Sequence, residues 1–285
     1  VIPLGDRKPW PTAHTKVGAV IGDPIAQSLS PTLYNAAFAA VGLDWVYVAF
    51  KVPKGSSATA VEAFRELGLA AFSVTMPHKS AVAQVLDSLS DEASLLEAVN
   101  IVANKDGALI GYNTDGPGLV QALKQEAGYD PAGKRCLVAG TGGAARAAVL
   151  ALATAGAKSI AVLGRNQPAA TATAALAGSA GMIASPEDLD KQELIVNATP
   201  VGMNNYRADG DHPINFDSLH SGQVVVDMVY DPKETPLLKA AKAHGATPVG
   251  GLAMLVHQAA IAFNIWTGMS APLEVMWSAV GGRAG

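Results

Sequence analysis

The sequence predicts an α/β protein built as two domains, and three observations carry that prediction. Short apolar runs alternate with helix-forming stretches along the whole chain. A glycine-rich turn, GTGGAA at 140–145, follows an apolar run and opens a helical one. The 285 residues are 49% hydrophobic and only 15% charged, enough to fill two modest cores.

The first series opens with an apolar strand over 16–21. A helix over 31–41 follows, with Pro31 in its first turn and Gly42 at its stop. Residues 45–50 read as a strand, 56–67 as a helix stopped by Gly68, 71–74 as a strand and 77–86 as a helix. Strands over 101–103 and 108–112 flank Lys105, Asp106 and Gly107, a hairpin-type turn. A helix over 117–127 stops at Gly128, and 128–133, with Asp130 and Pro131, reads as a joint between domains. The second series has a strand at 135–139, a helix at 143–155 and a strand at 159–163. Next come a helix at 169–177, inside the Ala-rich, helix-forming stretch 169–184, and strands at 193–197 and 223–228. A helix over 236–244 stops at Gly245. The long helix over 251–266 is apolar almost all round and is expected to pack back on the first domain. Strands alternating with helices in this way imply parallel sheets.

Composition excludes several classes of function. A net charge of −4 gives no field that would attract nucleic acid or a membrane surface. No run of 18 apolar residues spans a membrane, and residues 1–10 carry no signal-type segment and read as a loose arm. The single cysteine, Cys136, cannot form an internal disulfide, which fits a reducing, cytoplasmic setting; in its apolar strand it reads as packing. No histidine has a metal-ligand spacing to another His, Cys or acid, so no metal is expected.

The chemistry concentrates at the ends of strands. In the 140–145 turn, Gly140 permits the tight bend, Gly142 lets the backbone approach a pyrophosphate, and Ala145 allows close helix packing. The helix N-terminus beyond supplies N–H donors and partial positive charge; a plain βα turn is the alternative. The strand at 159–163 ends in Gly164, Arg165 and Asn166. An acid is absent there and an arginine is present, which favours a 2′-phosphate and hence NADP, unless Arg165 is merely solvated. Ser30 before Pro31 reads as a helix cap, yet with Ser28 it also makes a two-hydroxyl site for a small carboxylate. Thr75 and Pro77 start a helix bearing Lys79, and Asp115 stands before Gly116 and Pro117. A lysine at one helix start and an aspartate at another can converge to manage a proton; the alternatives are a surface lysine and an N-cap. Gln258 lies mid-helix among apolar residues, with Met254 on the same face, and its amide must find partners in the protein or in a substrate hydroxyl. A proton-handling pair with a dinucleotide points to hydride transfer at a carbonyl or alcohol.

Taken in order, these runs resemble the shikimate dehydrogenases and their quinate/shikimate relatives, from about Gly18 to Gly268. The motifs are IGDPI at 21–25 with SLSP at 28–31, VTMPHK at 74–79, AVN at 98–100, GYNTDG at 111–116, GTGGA at 140–144, NATPVGM at 197–203, DMVY at 227–230, and GLAML at 251–255 leading to Gln258. The resemblance implies an NADPH-dependent reduction of 3-dehydroshikimate to shikimate, a step of aromatic amino-acid biosynthesis. It implies an N-terminal α/β substrate domain, 1–115 with 251–285, and a Rossmann-like dinucleotide-binding domain, 116–250. By the same resemblance Ser28 and Ser30 hold the substrate carboxylate and Tyr230 lies near it. Thr75, Asn100 and Gln258 surround the ring hydroxyls, Lys79 is catalytic and Asp115 is its acidic partner. Gly140, Thr141, Gly142, Gly143 and Ala144 form the phosphate turn, and Gly164 and Arg165 the 2′-phosphate site. Thr199, Val201 and Met203 belong to the strip beside the nicotinamide, and Gly251 is a further cofactor-binding residue. The implied state is a monomer or homodimer acting on a free small molecule.

The chain departs from the family pattern at Gln27 and Tyr34, where histidine is common, and at Ser73, where asparagine is usual. Asn166 and Ala169 alter the usual cofactor run. Quinate as the main substrate and a non-catalytic ligand-sensing regulator on the same fold are the rival readings. A third, glutamyl-tRNA reductase, needs a nucleophilic cysteine, and Cys136 sits inside a strand.

Overall fold

The computed structural model describes residues 10–204 and 212–282, so most of the arm expected at 1–10 lies outside the described residues. The chain divides into two compact units. One runs to Asn113 and resumes over Ala260–Gly282; the other is Thr114–Ala259. Residues 128–133, read from sequence as a joint, therefore lie inside the second unit. Their backbone is tied in there: Tyr129 N–H donates to the Leu123 carbonyl, and Gly133 N–H to the Gly156 carbonyl.

The first unit holds a six-stranded sheet in the order β2-β1-β3-β5-β6-β4. Its strands are β1 (Lys16–Gly22), β2 (Trp45–Lys51), β3 (Ala71–Val74), β4 (Ser88–Leu89), β5 (Ile101–Lys105) and β6 (Ala108–Tyr112). Strands β2, β1 and β3 run parallel, joined through α1 (Ser30–Ala40) and α2 (Ser57–Glu66). The sheet is mixed, because β5 and β6 form the hairpin expected from sequence and β5 also pairs antiparallel with β3. Its turn uses Asp106 and Gly107, both with positive φ, as a two-residue hairpin turn requires.

The helix expected over 77–86 shrinks to α3 (Lys79–Ala83). The chain beyond Ala83 is drawn into β4, whose flanks bond β6: Asp87 N–H donates to the Leu109 carbonyl and Ser90 N–H to the Gly111 carbonyl. Ser90 then caps α4 (Asp91–Leu96), an element the sequence reading did not contain. The core between sheet and helices includes Phe64, Phe72, Val61 and Leu109. A second, aromatic core joins α1 to the chain's return: Phe38 lies 5.6 Å from Phe263 and Tyr34 lies 4.9 Å from Trp266. Trp266 Nε1–H donates to the buried Val102 carbonyl. Full burial of one such ring contributes about 1.5–3 kcal/mol, which fastens 260–282 to this unit.

The second unit begins with α5 (Asp115–Ala127), two residues earlier than expected. Pro117 is tolerated because first-turn N–H groups have no intrahelical acceptor to lose. Its sheet comprises β7 (Arg135–Ala139), β8 (Ser159–Leu163), β9 (Gly181–Ile183), β10 (Leu194–Asn197), β11 (Val224–Asp227) and β12 (Thr247–Val249). All are parallel, in the order β12-β11-β10-β7-β8-β9. This is the doubly wound order 3-2-1-4-5-6 of Rossmann folds, with its switch point between β7 and β10. The intervening helices are α6 (Gly143–Thr154), α7 (Gln167–Ala175) and α8 (Pro236–Ala243). The Ala-rich stretch does not stay helical: the chain bends at Gly178, in the left-handed region, and enters β9. Leu137, Ile195, Val225 and Leu237 centre the core. Helix α9 (Gly251–Thr267) starts in this unit and continues into the first, and α10 (Leu273–Ala279) closes the described chain. Among the described residues, no helix is long and apolar enough to cross a membrane.

Candidate functional site

In the first unit, five of the proposed site residues collect beside the carboxyl ends of β1 and β3. The Thr75 N–H donates to the Ile21 carbonyl, and Asp23 N–H to the Met76 carbonyl, so the loops leaving β1 and β3 run side by side. Asn100 joins them: its carbonyl accepts the Val74 N–H at 2.7 Å, and its side chain is buried. Lys79 is the first residue of α3, half-buried, and its carbonyl accepts the Val99 N–H. Close approach is possible because β1 ends in Gly22, where a Cβ would lie 2.5 Å from Thr75 Cγ2.

The serines differ from the capping expectation. Helix α1 starts at Ser30 itself, its N-cap is Leu29, and no side chain caps it. Ser28 Oγ accepts the Ser30 N–H at 3.3 Å, so Ser28 does the local backbone work and the Ser30 hydroxyl is not used for capping. Both side chains are half-buried at a helix N-terminus, the place where a carboxylate is favoured.

Two departures from the family pattern, Tyr34 and Ser73, meet at Tyr47, the first as a core ring and the second half-buried. The Tyr47 hydroxyl donates to Ser73 Oγ at 2.6 Å, and the fully buried Tyr34 ring lies 4.6 Å from that of Tyr47. Burial pushes both phenols well above their ordinary range.

In the second unit, Asp115 is buried as the first residue of α5, with Thr114 as N-cap and no side-chain cap bond. It is therefore not the N-cap that the sequence left open. Thr114 Oγ1–H donates to Gln258 Oε1 at 3.2 Å, and Gln258 Nε2–H donates to the Leu255 carbonyl at 3.0 Å. This brings Gln258 beside Asp115, 143 positions earlier in the chain. Gly118 makes the approach possible, since a Cβ there would lie 2.8 Å from the Gln258 backbone. At the other end of that neighbourhood, Gly251 starts α9 against the Met228 and Val229 backbone, next to half-buried Tyr230. Burial raises the Tyr230 phenol, and nearby Asp231 adds to the shift.

The turn from β7 to α6 has the form a dinucleotide needs. Gly140 has φ +123°, a conformation that favours glycine, and its N–H donates to the Leu163 carbonyl. Gly142 is the N-cap of α6, with no side-chain cap, so the first-turn N–H groups of Gly143 and Ala144 are not taken by a capping side chain. A Cβ at Gly142 would meet no protein atom within 4 Å. No protein neighbour demands glycine there, whereas an approaching phosphate would. Ala145 is fully buried under the helix, as expected. Thr141 packs on Gly164, where a Cβ would lie 2.6 Å from Thr141 Cγ2. Arg165 follows, exposed, with no hydrogen bond or ion pair among the described residues. Asn166 is spent locally: its side-chain oxygen accepts the Ala169 N–H and caps α7. Thr199, Val201 and Met203 lie in the loop after β10, and Gly140 touches its start, a Cβ there being 3.4 Å from Thr199 Cγ2. These features fit a 2′-phosphorylated dinucleotide.

Cys136 is fully buried in β7, and burial pushes its thiol up to about 12, so it is not a nucleophile at neutral pH. Among the described residues, no group of His, Cys, Asp and Glu could hold a metal ion. The sequence reading missed two arrangements. One is His78 with Ser57 in the first unit; the other is Asn197 with Asp227 in the second. Asn197 and Asp227 each open a quoted motif, and the available signal there was a polar residue where an apolar strand ends; His78 lies in the 74–79 motif, but nothing local pointed to Ser57.

Fold and site together define a two-unit α/β oxidoreductase of the dinucleotide-binding class. Residues 20–102 match the shikimate dehydrogenase substrate binding domain, and residues 251–280 match the shikimate 5′-dehydrogenase C-terminal domain. Shikimate dehydrogenase (NADP(+)) of Methanopyrus kandleri is 43% identical, covering 94% of this chain and 96% of its own. A solved shikimate dehydrogenase in complex with NADP+ superposes with a TM-score of 0.89 at 39% identity, covering 98% of both chains. Quinate dehydrogenase from Corynebacterium glutamicum in complex with NAD gives 0.85 at 28% identity, covering 93% of this chain and 98% of its own. The chain belongs to the shikimate dehydrogenase family.

Proposed function

We propose that this chain interconverts 3-dehydroshikimate and shikimate with NADP(H). The observation that carries the reading is the gathering of Ser30, Thr75, Asn100 and Lys79 at the carboxyl ends of β1 and β3. Such strand ends are where open α/β sheets place their ligands. Higher identity to the NADP(+) shikimate dehydrogenases than to a quinate dehydrogenase favours shikimate as main substrate. Lys79, Asp115 and the glycine turn are all present, which favours an enzyme over a ligand sensor.

In this reading Ser28, Ser30 and the N-terminus of α1 orient the substrate carboxylate, with Tyr230 nearby. Thr75, Asn100 and Gln258 engage ring hydroxyls and fix which carbon faces the cofactor. Gly140, Thr141, Gly142, Gly143 and Ala144 hold the pyrophosphate, Gly164 and Arg165 the 2′-phosphate, Thr199, Val201 and Met203 the nicotinamide end, and Gly251 adds to the cofactor contacts. NADPH, when bound, supplies the hydride to the substrate carbonyl. Lys79 as an ammonium donates a proton to the oxygen as negative charge develops there, and takes it back in the oxidative direction. Asp115, the first residue of α5, is the acidic partner of Lys79 in this reading. The enzyme would work in the cytoplasm, as a monomer or homodimer.

The test is steady-state turnover with shikimate and quinate, each with NADP+ and NAD+, in wild type and Lys79→Ala. Shikimate with NADP+ should give the highest kcat/KM. The variant should lose roughly 10²–10⁴ in kcat with little change in KM. A variant keeping more than about half its turnover would remove Lys79 from this role, and a preference for quinate would overturn the substrate.

A further inference from the structure

A buried polar cluster closes the adjacent strands β10 and β11, and the reaction described above gives its two central residues, Asn197 and Asp227, no part. Asn197 and Asp227 end these strands, face each other in register, and are wholly buried. Asn197 Nδ2–H donates to Asp227 Oδ1 at 2.9 Å and to the Val201 carbonyl at 3.2 Å. Asn197 Oδ1 accepts the Thr199 N–H at 3.1 Å and the Thr199 hydroxyl at 2.7 Å. Thr199 Oγ1 in turn accepts the Val201 N–H at 3.2 Å. On the far side, Asp227 accepts the Val229 N–H at 3.1 Å and the Thr235 hydroxyl at 2.6 Å, and Thr235 caps α8.

The pattern of bonds is informative. An asparagine side chain has two donors and two acceptor sites, and Asn197 uses all four within the protein. It has nothing left for a ligand, so its part is to hold. Asp227 takes three donors, none of them a cation, and burial pushes its carboxyl up while those donors oppose the shift. Two strands that only needed to pack would be served better by an apolar pair, since a buried carboxylate is costly. A fully satisfied polar network instead specifies one geometry. Here that geometry belongs to the loop 199–203 and to the backbone after β11, both at the strand ends where this fold places its ligand.

We propose that Asn197 and Asp227 are positioning residues. They lock the 199–203 loop and thereby the nicotinamide end of the cofactor, without bearing on the 2′-phosphate end at Arg165. The proposal rests on the cofactor reading given above.

The test is calorimetric binding of two probes to the full chain, with no turnover involved: NADP+, and adenosine 2′,5′-bisphosphate, which lacks the nicotinamide half. The variants are Asp227→Asn, Thr199→Val and the double. Thr199 is half-buried whereas Asp227 is wholly buried, so Thr199→Val disturbs the core less, and thermal unfolding of each variant checks that it is folded. Each single change should weaken NADP+ roughly tenfold. The bisphosphate should hold within about twofold throughout, and the double variant should lose no more than the weaker single, because both act through one network. Equal losses for the two probes would mean general damage to the unit and would overturn the proposal. So would unchanged NADP+ affinity, or additive losses in the double variant. A wild type that binds neither probe would bring down the cofactor reading itself, a different outcome from wild-type binding with insensitive variants.

Discussion

The His78 imidazole lies 2.9 Å from the Ser57 hydroxyl through Nδ1, while its Nε2–H donates to the Val52 carbonyl at 2.8 Å. His78 is buried and immediately precedes Lys79, so this pair ties the start of α3 to the chain after β2. Replacing His78 by Ala would strand two buried polar groups, a loss of about 1–3 kcal/mol. We expect that loss in denaturant unfolding, together with a fall in kcat from a less firmly placed Lys79. Wild-type stability and turnover in the variant would show that the pair holds nothing.

The serine pair should separate stability from binding. Since α1 begins at Ser30 with no side-chain cap, Ser30→Ala should leave the unfolding midpoint unchanged, whereas loss of a true cap costs about 1 kcal/mol. Its KM for shikimate should rise more than its kcat falls. Ser28→Ala removes the bond to the Ser30 N–H and should cost about 0.5–1.5 kcal/mol in addition to raising KM. Unchanged KM in both variants would leave the substrate carboxylate to other groups.

Arg165 is exposed and unengaged among the described residues, and no acid ends β8. Arg165→Ala should therefore weaken NADP+ while sparing NAD+. A lost charge-assisted contact is worth about 1.5–3 kcal/mol, or roughly tenfold to a hundredfold. The comparison is kcat/KM for both cofactors in wild type and variant. Equal losses would mean that the guanidinium does not read the 2′-phosphate.

The first unit should carry an acid-sensitive tie at Asp87. Arg65 donates to its carboxylate at 2.7 Å and the Leu109 N–H at 2.6 Å, and these bonds, the arginine's first, lower its pKa. A carboxyl whose folded value is depressed stabilises the fold above its unfolded value. That contribution drains away as pH falls through the folded value. Stability should thus decline below about pH 4, where an unfolded aspartate takes up its proton. Asp87→Asn should be less stable at neutral pH and flatter in its pH dependence below that point. Parallel pH curves for the two proteins would show that Asp87 is not linked to unfolding.

Much of the fold was legible because its signals are local. Gly42, Gly68, Gly128 and Gly245 each follow a helix with positive φ, as the stops read from sequence required. The hairpin at Asp106 and Gly107 and the turn at Gly140 are equally local, since backbone sterics decide them within a few residues. Short edge strands such as β4 and β12 were not legible; two or three residues have no period of their own and exist as strands only through a neighbour's ladder. The proposed site divides the same way. Its motifs, with Lys79 after Thr75 and Arg165 after the β8 run, stand in the sequence as residue types at fixed spacing. Other relations had to wait for the folded chain. These are the freeing of the Ser30 hydroxyl from capping, the meeting of Thr114 with Gln258, and the pairing of Asn197 with Asp227. Local preference determines how each strand and helix begins and ends. Which strand ends lie side by side is settled by crossover topology and by glycines such as Gly118 that let two helices touch, and a polar side chain acquires its partner only then.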